Sequence, residues 1–208
     1  LGAIIIGLPI GLLTAIYMAF YANKKAYKIL EPAVQLMAGI PSIVYGFFAL
    51  VVIVPLVRKS FGGDGMNIIT ASLLLGIMIL PTIISICESS LRAVPKSFYQ
   101  GSVALGASKE ISIFKVVVPA AKSGIISSFI LGIGRAIGET MAVYLIAGNQ
   151  PRIPTSITQG VRTLTTNIVI EMAYATPKHR QGLIATAMVL FIFILIINTI
   201  FYLSLIHI

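Results

Sequence analysis

Five apolar runs, each about as long as a bilayer is thick, divide this chain of 208 residues: 1–21, 35–57, 68–87, 123–148 and 182–205. A hydrocarbon core of about 30 Å takes about 20 apolar residues of helix, and a spanning segment must satisfy its own backbone hydrogen bonds inside it. The composition agrees. With 58% hydrophobic and 10% charged residues, the chain lies far from the roughly 45–50% apolar and about 25% charged of soluble domains. A soluble domain is excluded, and the expected fold is all-α: one polytopic helical membrane domain over residues 1–208 with five spans.

Four polar segments separate the runs. Because consecutive spans alternate in direction, the first and third segments share one side and the second and fourth the other. The first and third carry Lys24, Lys25, Lys28, Arg92, Lys96, Lys109, Lys115 and Lys122; the others carry Arg58, Lys59, Arg152, Arg162, Lys178 and Arg180. This eight to six bias places the third segment, 88–122, in the cytoplasm and the fourth, 149–181, outside. The excess of 15 Lys and Arg over 6 Asp and Glu thus belongs to membrane orientation and does not call for nucleic acid. The chain opens on Leu1, already apolar and with no basic leader, and is expected to begin within the membrane part of a longer protein.

Several runs carry helix breakers, among them Gly39 with Pro41, Pro55 and Pro81. Lipid tolerates such breaks only where the freed backbone meets protein or a cavity. Gly2, Gly7 and Gly11 recur at roughly one-turn spacing and suit close helix contact. Gly62, Gly63, Asp64 and Gly65 read as a tight turn.

The fourth run contains two ionised groups near its middle, Arg135 and Glu139. A charge at the centre of a span costs about 2.5–3.5 kcal/mol on insertion scales, so such residues face a bundle interior or a wet path. At i and i+4 on a helix they are expected to share a face and pair. One reading is a self-neutralising pair that pins helices together. The other is an ion path, in which the guanidinium holds an oxyanion and the carboxylate positions or releases it. Gly132, Gly134 and Gly138 leave room there.

The third segment has structure of its own. Residues 97–105 have helical composition and end at Gly106, a natural stop. Ser108 is placed to cap a second short helix running to about Val117, with Pro119 closing it. The result is an exposed knob.

These residues carry a family resemblance. YQGSVALGASKEISIFKVVVP resembles the EAA loop of ABC importer permeases: Gln100, Gly101 and Ser102 occupy its first three positions, Gly106 its glycine, and Val116, Val118 and Pro119 its end. Gln100 stands where the family often has Glu. AGIPSIVYGFFALVVIVPL, ILPTIISICESSLRAVPKSF, GIGRAIGETMAVYLIAGN and RTLTTNIVIEMAYA resemble the phosphate-specific ABC importer permeases over nearly the whole chain. The resemblance implies spans two to six of a six-span, type I importer subunit in the inner membrane of a prokaryote. It implies a second, homologous permease subunit, a dimer of ABC ATPases, an extracytoplasmic binding protein and inorganic phosphate as cargo.

It further implies that Gln100, Gly101, Ser102, Gly106, Ala107, Ser108 and Pro119 couple to the ATPase. Arg135 and Glu139 would line the substrate path, and 149–181 would form part of the docking surface, with Leu164, Ile168, Met172 and Ala175 packing inward and Arg152 and Arg162 available to the binding protein. The chain has no GxxxxGK loop followed by Ser or Thr, so ATP and Mg belong to the partner subunits and no cofactor or catalysis is expected here. Cys87 is the sole cysteine, and His179 and His207 are isolated. A permease for molybdate or sulfate, or an ATP-independent carrier or channel, are the rival readings.

Overall fold

The computed structural model describes residues 1–206, and His207 lies outside them. The first helix, α1 (Gly2–Ile16), runs on through a wide π turn, Tyr17–Tyr21. Asn23 then starts α2 (Lys24–Gly39) by accepting the backbone N–H of Ala26 at 2.8 Å. The chain continues as α3 (Ser42–Val51) and α4 (Ile53–Phe61), then turns through Gly62, Gly63 and Gly65, all at positive φ. In this turn Asp64 Oδ1 accepts the N–H of Met66 at 3.0 Å. Asn67 caps α5 (Ile68–Ala93), the longest buried helix.

The knob follows as α6 (Lys96–Ala104) and α7 (Lys109–Ser112), the latter extended through a π turn, Ile113–Val117, into α8 (Val118–Ala120). After α9 (Lys122–Gly138) and α10 (Met141–Ile146), an irregular loop leads to α11 (Leu164–Met172) and the long α12 (Pro177–Ile206). Among the described residues the sole β feature is a bridge between Gly148 and Val161.

Helix α5 is the axis on which the others pack, with α1 and α9 against it along most of its length. The α1–α5 contact works because α1 presents glycine there. A Cβ on Gly7 would lie 2.6 Å from the Ile79 side chain, and one on Gly11 2.7 Å from Ile83. In lipid such close approach supplies the dispersion contacts that hold spans together. Helices α3, α4 and α10 cover one half of α5 around Leu74 and Met78, while α1, α9 and the π turn after α7 cover the other around Ile83 and Leu91. Helix α12 rests on α9 and α11 and leaves Phe191, Ile192 and Leu195 about half exposed.

The alternation of polar segments holds. Lys109 lies over the Tyr21 ring at 4.3 Å, which brings the first and third segments to one end. At the other end Ile68 N–H donates to the Gln159 carbonyl at 3.3 Å, joining the second and fourth. Two expected spans are not straight. Helices α2 and α3 meet at 100°, and Lys109–Ala120 meets α9 at 69°. Among the described residues three helices are long and apolar enough to cross alone, and up to five spans result if each bent pair counts as one. Pro119 does not end its helix, which continues to Ala120 before the bend. Proline at the first positions of a helical turn has no N–H to miss there.

Candidate functional site

The break at the end of α9 sets the geometry of the expected charged pair. Helix α9 stops at Gly138 because Glu139 turns extended, with φ −67° and ψ 131°. The i to i+4 relation that would have joined Arg135 to Glu139 is therefore lost, and no ion pair forms between them within 4.0 Å. Glu139 Oε1 accepts the backbone N–H groups of Thr140 and Ala142, each at 3.1 Å, satisfying donors that would be orphaned at the start of α10. The Glu139 carbonyl accepts the Thr165 hydroxyl at 3.1 Å, so α11 also closes over the break.

Arg135 is half-buried, and no hydrogen-bond acceptor engages it among the described residues. Gly134 and Gly138 face open space beside it, whereas Gly132 packs against Ile83, where a Cβ would come within 3.1 Å. One face of α9 therefore serves packing on α5, and the other presents an uncompensated guanidinium next to two glycines. A second interruption accompanies it. The Tyr45 hydroxyl donates to the Met37 carbonyl at 2.8 Å, stitching the 100° bend between α2 and α3. Both breaks thus meet the requirement that irregular backbone at membrane depth be satisfied by protein.

At the knob end, Gly106 adopts φ +87°, a conformation that favours glycine. The chain can then reverse between α6 and α7 as the spacing predicts. Ser108 caps α7 through the N–H of Ile111 at 3.3 Å, and Ser112 donates to the Ser102 hydroxyl at 3.0 Å, tying the two helices. Gln100, Gly101, Gly106, Ser108 and Pro119 are exposed, Ser102 and Ala107 partly so. Nothing lies within 4 Å of a Cβ at Gly101 or Gly106, and Leu105 between them is 92% exposed. The knob is thus a tied reversal with an open tip, at which Leu105 is an exposed apolar side chain that motif spacing did not single out.

Residues 149–181 depart from expectation in detail. Arg162 is turned inward: its Nε donates to the Asn149 carbonyl at 3.0 Å, and its Nη1 to Glu171 at 2.8 Å and Asn167 at 3.3 Å. It fastens the loop to α11, while Arg152 stays exposed. Leu164 is half exposed and Ala175 lies beyond the helix. The fully buried side chain of α11 is Thr166, partner of Thr163 in a capping box. The His179 and Glu171 side chains stand 3.8 Å apart. No group of His, Cys, Asp or Glu among the described residues could hold a metal, and Cys87 is buried against Ser128 at 2.9 Å.

The chain belongs to the family of binding-protein-dependent transport system inner membrane components, whose model matches residues 7–207. It is 40% identical over 173 residues to the probable ABC transporter permease protein YqgH of Bacillus subtilis (strain 168), covering 83% of this chain and 56% of that one. It is 32% identical over 210 residues to the phosphate transport system permease protein PstC of Xylella fastidiosa (strain Temecula1), covering 91% of this chain and 65% of that one. The chain thus spans somewhat under two thirds of the length of these relatives.

Among solved structures, the inward-facing MetNI methionine ABC transporter matches with a TM-score of 0.72 at 21% identity, over 98% of this chain and 86% of that one. An amino acid ABC transporter with histidines matches with a TM-score of 0.66 at 19% identity, over all of this chain and 87% of that one. At these identities the likeness establishes the fold.

Proposed function

We propose that this chain forms half of the translocation path of an ATP-driven importer for inorganic phosphate, in the inner membrane of a prokaryote, and is itself non-catalytic. Arg135 carries the reading. Phosphate is an oxyanion, and outside water it needs positive charge; a guanidinium supplies that permanently, with forked donors that suit phosphate oxygens. An arginine already spent on a carboxylate could not do this, and Arg135 has no such partner. The PstC names of the relatives support phosphate as the particular oxyanion.

Glu139 acts as the cap that holds the break open beside Arg135. The second permease closes the path from the other side, and the exposed apolar surface of α12 is available to it or to lipid. The knob, with Gln100, Gly101, Ser102, Gly106, Ala107, Ser108 and Pro119, docks on the ATPase dimer, where ATP and Mg reside. The segment 149–181 receives the phosphate-loaded binding protein, with Arg152 the exposed basic contact and Arg162 the internal fastening.

A guanidinium serves other oxyanions equally well, so the cargo is decided by experiment. The complete transporter is reconstituted in liposomes and its ATPase rate is measured with binding proteins loaded with phosphate, sulfate or molybdate. Stimulation with phosphate alone is expected. Stimulation by sulfate or molybdate carriers, with none by the phosphate carrier, overturns the assignment.

A further inference from the structure

A cavity of about 560 Å³ opens at the knob end, between the π turn that follows α1, the end of α5 and the root of the knob. Its cations are Arg92, Lys96 and Lys109, and no carboxylate lines it. Its apolar lining includes Phe20, Leu91, Val94 and Val117.

The cations are set in place before any ligand arrives. Arg92 donates through Nε to Glu88 at 2.7 Å and through Nη2 to the Met18 carbonyl at 3.0 Å, and its guanidinium lies 4.8 Å from the Tyr27 ring centre. Lys109 is steadied over the Tyr21 ring. With Glu88 counted against Arg92, the two lysines remain uncompensated at the cavity. Lys96 is exposed and forms no ion pair.

The depth of the cavity is informative. Helix α5 has 26 residues, about 39 Å at about 1.5 Å per residue, so its ends pass beyond a hydrocarbon core of about 30 Å. Arg92 lies in its last turn, and Tyr21 and Tyr27 stand beside the cations in the manner of residues at headgroup level. A site of this kind, basic at its mouth and apolar in its walls, fits an amphiphile better than a free ion. Basic pockets between spans bind anionic headgroups by the same logic.

We propose that this cavity seats an anionic phospholipid, its headgroup phosphate held by Lys96, Lys109 and the free edge of Arg92, and its glycerol and first acyl carbons against Phe20, Leu91 and Val117. Gln100, at the root of the knob, lines the cavity, whereas Gly101, Leu105 and Gly106 do not, so the knob tip stays available while the lipid is bound. The lipid would fill the joint between knob and membrane helices. This site is independent of the cargo and of which leaflet the knob faces.

The test uses the complete transporter, purified and exchanged into mixtures of phosphatidylglycerol and phosphatidylcholine, with retained lipid counted by native mass spectrometry. Lys96→Gln and Lys109→Gln are each expected to lower phosphatidylglycerol retention about fivefold, as the loss of one lysine near an anionic surface implies, while phosphatidylcholine is unchanged. Lys122→Gln removes a charge at the same end of the molecule but outside the cavity, and should leave retention unaltered. Equal loss in the Lys122 variant would mean diffuse surface charge and overturn the proposal, as would full retention in Lys96→Gln, whose exposed side chain has no structural partner to lose. Inorganic phosphate is added as a competitor; if it displaces the lipid, or binds lipid-free protein with the same lysine dependence, the occupant is free phosphate and the lipid assignment is wrong.

Discussion

Two pairs of charged residues in this chain have the same i to i+4 spacing and opposite fates. Glu88 and Arg92 sit on α5, which stays helical to Ala93, and they meet at 2.7 Å. Arg135 and Glu139 sit at the end of α9, which stops between them, and they do not meet. Spacing places side chains on one face only while the helix continues. The difference is one of engagement: Arg92 is held by a carboxylate, a carbonyl and an aromatic ring, whereas Arg135 has no carboxylate partner, as the proposed path role requires.

The largest effect on stability is therefore expected at the fastened pair. Arg92→Gln leaves Glu88, whose side chain is only 11% exposed, without its partner, and should cost about 1–3 kcal/mol, the range for stranding a buried polar group. Thermal unfolding of the assembled transporter should show a clear drop in midpoint for this variant and little change for Arg135→Gln. Equal destabilisation by both would break the comparison, since it would mean that Arg135 is also a structural residue.

A smaller effect sharpens the role given to Glu139. Thr165→Val removes the hydroxyl that donates to the Glu139 carbonyl and also meets the Thr163 hydroxyl, each hydrogen bond worth about 0.5–1.5 kcal/mol. Hydrogen exchange should rise over α10 and α11 and stay level in α5. No change in exchange would mean that α11 does not hold the break.

Much of this was legible in the residues. The apolar runs located α1, α5 and α12 but not the breaks inside the other two runs; the glycines of α1 marked the face that meets α5, and Gly106 with Ser108 marked the knob's reversal and second helix. Each is a local signal, read from one element. The break at Glu139 was not legible, because GETMAV contains no proline and the residues around it suit a helix well enough. What ends α9 is an exchange of partners, in which the Glu139 carboxylate takes the N–H groups of α10 and Thr165, 26 residues away, takes its carbonyl. The clamp on Arg92 was hidden for the same reason, since its carbonyl partner is Met18, 74 residues distant. The inward turn of Arg162 depends on the loop path that brings Asn149 to it.

The central claim is that Arg135 meets the transported anion and Glu139 holds the backbone. Phosphate uptake by the reconstituted transporter is measured for Arg135→Gln and Glu139→Gln, each verified as assembled. Arg135→Gln should lose about tenfold to a hundredfold, as expected for a hydrogen bond to a charged group worth about 1.5–3 kcal/mol. Glu139→Gln should retain most uptake, because a carboxamide oxygen still accepts the N–H groups of Thr140 and Ala142. If both variants fall equally and the double variant falls no further, the two side chains act as a pair and the account is contradicted.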